Sequence, residues 1–143
     1  MTQPSIPRRL ERPLACAGLA VCLGITLLVF LVFGRMQPMW PLPGLYLLEM
    51  LALSAAAVYV VVREIRPAAA VIGAVLGAMG AFALLAAFSI GAYYLPVLLL
   101  LGTGGGLAIL DRRARFWPAV VACLAAAVVQ TAIILAVVRL RFP

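Results

Sequence analysis

The sequence predicts an all-α fold, a polytopic bundle of five transmembrane helices in a single integral membrane domain over residues 1–143. Three observations carry that prediction. Hydrophobic residues make up 67% of the chain and charged residues only 10%, whereas a soluble domain is about half apolar and about a quarter charged. A chain this short has too little interior to hide so much apolar surface from water, so the bilayer must act as its solvent. The apolar residues also fall in continuous runs rather than strict alternation. That pattern excludes a β-barrel and leaves helices as the spanning structure that satisfies every backbone group in lipid. Finally, the arginines sit singly or in short groups at the ends of those runs, as membrane flanks do.

Residues 1–13 form a short polar lead with Arg8, Arg9, Glu11 and Arg12. The first helix is expected at about 14–33, an uncharged run long enough to span. Residues 34–43 hold Arg35, Pro38, Trp40, Pro41 and Pro43 and read as a turn. The second helix, about 44–62, carries one charge, Glu49, and closes on Arg63, Glu64 and Arg66.

Residues 68–110 are then uncharged. As one helix this stretch would be about 65 Å long, roughly twice the hydrocarbon thickness, so it must fold back. The break is placed near Ser89 to Pro96, where Gly91, Tyr93, Tyr94 and Pro96 gather. Proline is tolerated in a first helical turn because its missing N–H would have no partner there. The third and fourth helices are therefore expected at about 68–88 and 91–110. A fifth follows Asp111, Arg112, Arg113 and Arg115, at about 117–138, with Pro118 in its first turn.

Charge sets the expected orientation. With a cytoplasmic N-terminus, Arg8, Arg9, Arg12, Arg63, Arg66, Arg112, Arg113 and Arg115 lie inside, and Arg35, Arg139 and Arg141 lie outside. Eight against three obeys the positive-inside rule. An alternative with four spans and residues 91–110 as a re-entrant segment splits the arginines seven against four and leaves that apolar stretch without a home. The all-Arg basic content and the wealth of Ala, Gly, Val and Leu suggest a GC-rich bacterial genome. The expected location is thus the bacterial inner (plasma) membrane, multi-pass, with the C-terminus outside. The first run is longer than a usual signal-peptide core, and no A-x-A site follows it.

The catalytic inventory is thin. The chain has no His, no Lys and no Asn, and its acids are Glu11, Glu49, Glu64 and Asp111. Without His there is no imidazole base and no common zinc ligand. Without Lys there is no Schiff base. Cys16, Cys22 and Cys123 form no C-x-x-C pair and read as small buried hydrophobes. No metal, no cofactor and no nucleic acid partner is expected.

Helix association in lipid rests on close contact and hydrogen bonds. Small residues recur at four-residue spacing: Ala69, Gly73, Gly77 and Ala81 on the third helix, Gly102 and Gly106 on the fourth, and Ala119, Cys123, Ala127 and Thr131 on the fifth. These stripes are expected to meet inside one chain; a homodimer through the third helix is the alternative. The run from Gly102 to Gly106 lies within an apolar helix with no Lys after it, so it is not a phosphate loop.

Glu49 is the one acid inside an apolar run. An intramembrane ionisable residue is costly to keep and points to function. Its neighbours on the same face are Ala52, Leu53 and Ala56, which suggests that it looks into the bundle, and Tyr46 lies one turn earlier. Thr26, Thr103, Gln130 and Thr131 fall at broadly similar depth, so a polar cluster around Glu49 is expected. Alternatively, Arg35, Arg139 or Arg141 snorkels to pair with it.

The expected function is a small integral membrane protein without catalytic machinery. Its partners would be the lipid bilayer and either a larger membrane complex, as an accessory or structural subunit, or further copies of itself. The alternative is a small proton-coupled transporter or channel using Glu49. An odd number of helices does not suit a simple two-fold internal repeat.

Overall fold

The computed structural model describes residues 6–34, 42–65, 68–86, 91–111 and 116–141. Every regular element among them is helical: α1 (Ile6–Phe33), α2 (Leu42–Arg63), α3 (Ala68–Leu85), α4 (Leu95–Asp111) and α5 (Trp117–Arg141), with a 3₁₀ turn at Gly91–Tyr94 leading into α4. Five segments are long and apolar enough to cross a membrane: Leu10–Val32, Gly44–Arg63, Ala68–Leu85, Gly91–Leu110 and Trp117–Leu140.

α1 starts at Ile6, well before residue 14. Pro7 occupies the first turn, where a missing N–H costs nothing, and the arginines that follow are good helix formers. Pro13 is carried inside the helix. At 28 residues α1 is about 42 Å long, so its first turns extend past the hydrocarbon. α3 ends at Leu85, and the Gly91 N–H donates to the Ala86 carbonyl at 2.8 Å. A Cβ at Gly91 would lie 2.7 Å from the Ala83 carbonyl oxygen, so only glycine permits so tight a return. Pro96 is the second residue of α4 and Pro118 the second of α5. Both stand where their ring needs no intrahelical donor.

Successive helices α1 to α4 run antiparallel. Arg12 at the start of α1 meets Glu64 at the end of α2, with N–O 2.9 Å. Gly104, late in α4, packs on the backbone of Glu11 and Ala15. Thr26, late in α1, meets Tyr94 at the end of the 3₁₀ turn that leads into α4. α3 and α5 run parallel in constant register, Gly73 against Ala119 and Gly77 against Cys123. Arg12, Arg63 and the start of α5 therefore gather at one end of the bundle, the basic end.

α3 is the central and most buried helix, touching α2, α4 and α5, while α1 packs on α2 and α4. α5 is the most exposed helix and packs on α3 alone. The core has two parts. Ala15, Val61, Ile72, Ala108 and Ile109 fill the basic end. Cys22, Met50, Met79, Phe82, Tyr94 and Val97 fill the middle and far end. The outward Leu, Val and Ile side chains of α1 and α5 suit a lipid surround, which is as apolar as they are.

The small-residue stripes of α3 and α5 do meet inside the chain. Added Cβ atoms at Gly73 and Gly77 would run into the carbonyls of Ala119 and Cys123. α4 behaves differently from expectation. Its contacts are made by Gly104 on α1 and Gly105 on Ile72 of α3, whereas a Cβ at Gly106 would meet nothing within 4 Å and one at Gly102 only the Leu76 Cδ2 at 3.8 Å. The reason is register: α4 lies between α1 and α3, and Gly102 and Gly106 fall on the flank left over. The glycine run causes no break, since α4 is one continuous helix.

Candidate functional site

Polar groups inside the bundle form a seam that joins four helices. On α1, Cys22 and Thr26 are one turn apart. The Cys22 thiol donates to the Met50 carbonyl at 3.7 Å, and the Thr26 Oγ1 lies 3.1 Å from the Tyr94 hydroxyl. On α2, the Ser54 hydroxyl donates to the same Met50 carbonyl at 2.9 Å and lies 3.8 Å from the Met79 sulfur of α3. Cys22, Ser54 and Tyr94 are fully buried. Each polar atom thus finds a partner where water is absent, which is what burial in an apolar medium demands.

An aromatic row flanks this seam. The Tyr46 ring lies 5.6 Å from that of Phe82, and Phe82 meets Tyr94 edge-on at 6.0 Å and 84°. Edge-to-face geometry sets the positive rim of one ring on the negative face of the other. Tyr46 is half-buried, and Glu49 follows one turn later on α2, also half-buried. The Glu49 carboxylate makes no hydrogen bond and no ion pair with any described residue. Its flank is not the inward face that its small neighbours suggest, because Ala52 and Ala56 are exposed. The inward face of α2 is instead Leu47, Met50, Ser54, Ala57 and Val61.

The remaining polar residues of the helices are dispersed. Thr103 is exposed and bonds back to the Leu99 and Leu100 carbonyls of its own helix. Thr131 is half-buried and bonds to the Ala127 carbonyl. Gln130 is buried, and its Nε2 has no hydrogen-bond partner among the described residues. Because α5 touches only α3, Gln130 and Thr131 are held away from Thr26 on α1 and Glu49 on α2. Only Thr26 joins the seam directly. Arg35 lies outside the described residues, and Arg139 is exposed with no ion pair to Glu49.

Three seam residues, Cys22, Ser54 and Tyr94, were not among the expected site residues. A signal existed: Cys22 with Thr26, and Met50 with Ser54, repeat at four residues within apolar runs. Glu11 gave none. Placed in the polar lead by sequence, it is 2% exposed and lies within α1.

No group of three or more His, Cys, Asp or Glu residues among those described is arranged to hold a metal ion. Two of the grooves formed by the described residues are open to the surround. One of about 250 Å³ lies over α3 between α4 and α5, bordered by Leu76, Gly102, Gly106, Phe116 and Cys123. The other, of about 300 Å³, lies between α1 and α2, bordered by Leu23, Thr26, Phe30, Gly44 and Leu47. Thr26 is the only polar side chain bordering either.

Comparison with known proteins finds no matching family, no matching curated sequence and no matching solved structure. Fold and site together describe a multi-pass α-helical membrane protein whose interior polar groups are largely consumed in joining its own helices.

Proposed function

We infer that this chain is a non-catalytic membrane component, an accessory or structural subunit of a larger membrane complex. The observation that carries the reading is how the polar side chains are used. Thr26, Cys22 and Tyr94 bond helix to helix, Ser54 bonds within its own turn and reaches the Met79 sulfur of α3, and Thr103 and Thr131 bond to their own turns. Apart from Thr26, the grooves described are bordered by apolar side chains and glycines. A subunit whose task is to hold shape in lipid needs such internal bonding and little else. Charge favours a cytoplasmic basic end and a C-terminus outside a bacterial inner membrane. A reporter fused after Pro143 is expected to be active outside the cytoplasm.

The test is purification in mild detergent from the native host, followed by stoichiometric analysis. A different membrane protein in fixed ratio supports the reading. Recovery of the chain alone or only with itself overturns it.

One observation favours a second reading, a small proton-coupled transporter or channel: the Glu49 carboxylate is half-buried and has no ion-pair partner among the described residues. Proton-driven flux in liposomes that is lost in Glu49→Gln would select it.

A further inference from the structure

Glu49 lies five residues into the Gly44–Arg63 span, about 8 Å from its end. A carboxylate at that depth is costly unless it is paired or hydrogen-bonded, and no described residue of the chain pairs with it. The exposed flank that follows it toward the basic end is made of small residues, whereas Leu45 and Leu48 are exposed before it. Ala52, Ala55 and Ala56 follow it along α2, all exposed, and Tyr59 ends the run beneath Arg63, whose guanidinium carbon stands 6.0 Å from the ring centre. Small side chains let a second helix come close, and close contact is the principal source of helix affinity in lipid. The flank thus combines a surface shaped for a helix with a charge that has no complement among the described residues.

The described residues of a second copy do not supply that complement. Packing about a two-fold axis along the membrane normal would set Glu49 against Glu49. Nor is the Arg139 of a neighbouring copy at the right depth. Tyr46 stacks on Phe82, and the constant offset between α3 and α5 (119 − 73 = 123 − 77 = 46) sets Val128 level with Phe82. Arg139 is eleven residues beyond Val128, about 16 Å further toward the end away from the basic cluster. Glu49 lies on the opposite side of the Tyr46 level, toward the basic end.

We propose that the outward face of α2, formed by Glu49, Ala52 and Ala56, receives a transmembrane helix of a different protein that carries an arginine or lysine at the depth of Glu49. The pairing is mutual, because a lone cation in the partner's span is as costly as a lone carboxylate here. The proposal rests on the accessory-subunit reading and gives that subunit its docking face and the chemistry of its partner.

The experiment places a photo-cross-linking amino acid at Ala52 or Ala56, and at Val128 on the exposed flank of α5 as control, in the full chain in native membranes. Cross-linked peptides are identified by mass spectrometry. The expected result is that positions 52 and 56, but not 128, capture a transmembrane peptide of one other protein containing Arg or Lys. Glu49→Arg should lower that yield by about thirtyfold or more, and exchanging the partner's basic residue for Glu should restore it. Glu49→Gln, which keeps the shape, should give an intermediate loss and guards against misfolding of the Arg variant. Adducts only with this same chain or with lipid, or a yield indifferent to Glu49, overturn the proposal. A partner that co-purifies but cross-links only from Val128 overturns the docking face and leaves the subunit reading standing. If no other protein co-purifies, both fall.

Discussion

Replacing Gly77 with alanine tests the packing of α5 with a single methyl group. A Cβ at Gly77 would overlap the carbonyl of Cys123 and sit 2.9 Å from its Cα. These are backbone atoms inside a helix, so no rotamer change relieves the clash, and α5 must move off α3. Overpacking of this kind costs about 1–3 kcal/mol. Alanine also returns about 0.5–1 kcal/mol of helix propensity relative to glycine. Gly106 gives the matched control, since a Cβ there meets nothing within 4 Å and only the propensity gain remains. The difference between Gly77→Ala and Gly106→Ala isolates the steric cost, about 1–3 kcal/mol, or roughly five- to 150-fold in the unfolding equilibrium. Unfolding in mixed micelles of mild detergent and dodecyl sulfate measures both variants on one scale. If Gly77→Ala is as stable as Gly106→Ala, the α3–α5 contact described above is wrong. Gly73→Ala should repeat the Gly77 result through the carbonyl of Ala119.

Other substitutions probe the polar groups. A double-mutant cycle with Thr26→Val and Tyr94→Phe should give a coupling of about 0.6 kcal/mol, and up to about 1.7, the range for interhelical hydrogen bonds in lipid; zero coupling would mean that the two hydroxyls do not bond. Gln130→Leu should raise the unfolding midpoint by an amount corresponding to about 1–3 kcal/mol, because it removes a buried amide nitrogen that has no partner among the described residues. A loss of stability instead would show that the amide is bonded. Glu64 closes α2 with φ at 53°, a left-handed conformation that costs an L-residue about 1–2 kcal/mol. Its ion pair with Arg12 is about half exposed on both sides and contributes about 0–1 kcal/mol. Glu64→Gly is therefore expected to be neutral or to stabilise by about 1 kcal/mol, and a clear destabilisation in the same micelle assay would give the ion pair the larger share.

The helices were legible because apolar run length is a direct physical requirement of spanning lipid. The fold-back near Gly91 was legible from the length limit together with Pro96. The α3–α5 seam was legible because Gly73, Gly77, Ala119 and Cys123 are small residues at helical spacing, and small residues are what close approach needs. The composition of the polar seam was not. Hydrophobicity alone does not orient an all-apolar helix, since its inward and outward faces look alike in sequence. Ala52 and Ala56 were read as an inward face, while the core side of α2 is the one bearing Met50 and Ser54. The same ambiguity hid the choice of Gly104 and Gly105 over Gly102 and Gly106, which depends on how α4 is rotated between two neighbours. The start of α1 was missed for another reason: charged residues end a hydrophobic run without ending a helix.

The attachment of α5 to α3 alone has a consequence for the order of assembly. The mutual contacts of α1 to α4 do not involve α5, so those four helices can associate without it and α5 can dock afterwards on the face of α3 that they leave free. Until it arrives, the cleft floored by Gly73 and Gly77 stands open to lipid. Fragment complementation follows naturally: a chain severed within residues 112–115 would hold its first four helices together, and a separately made α5 would find its cleft again.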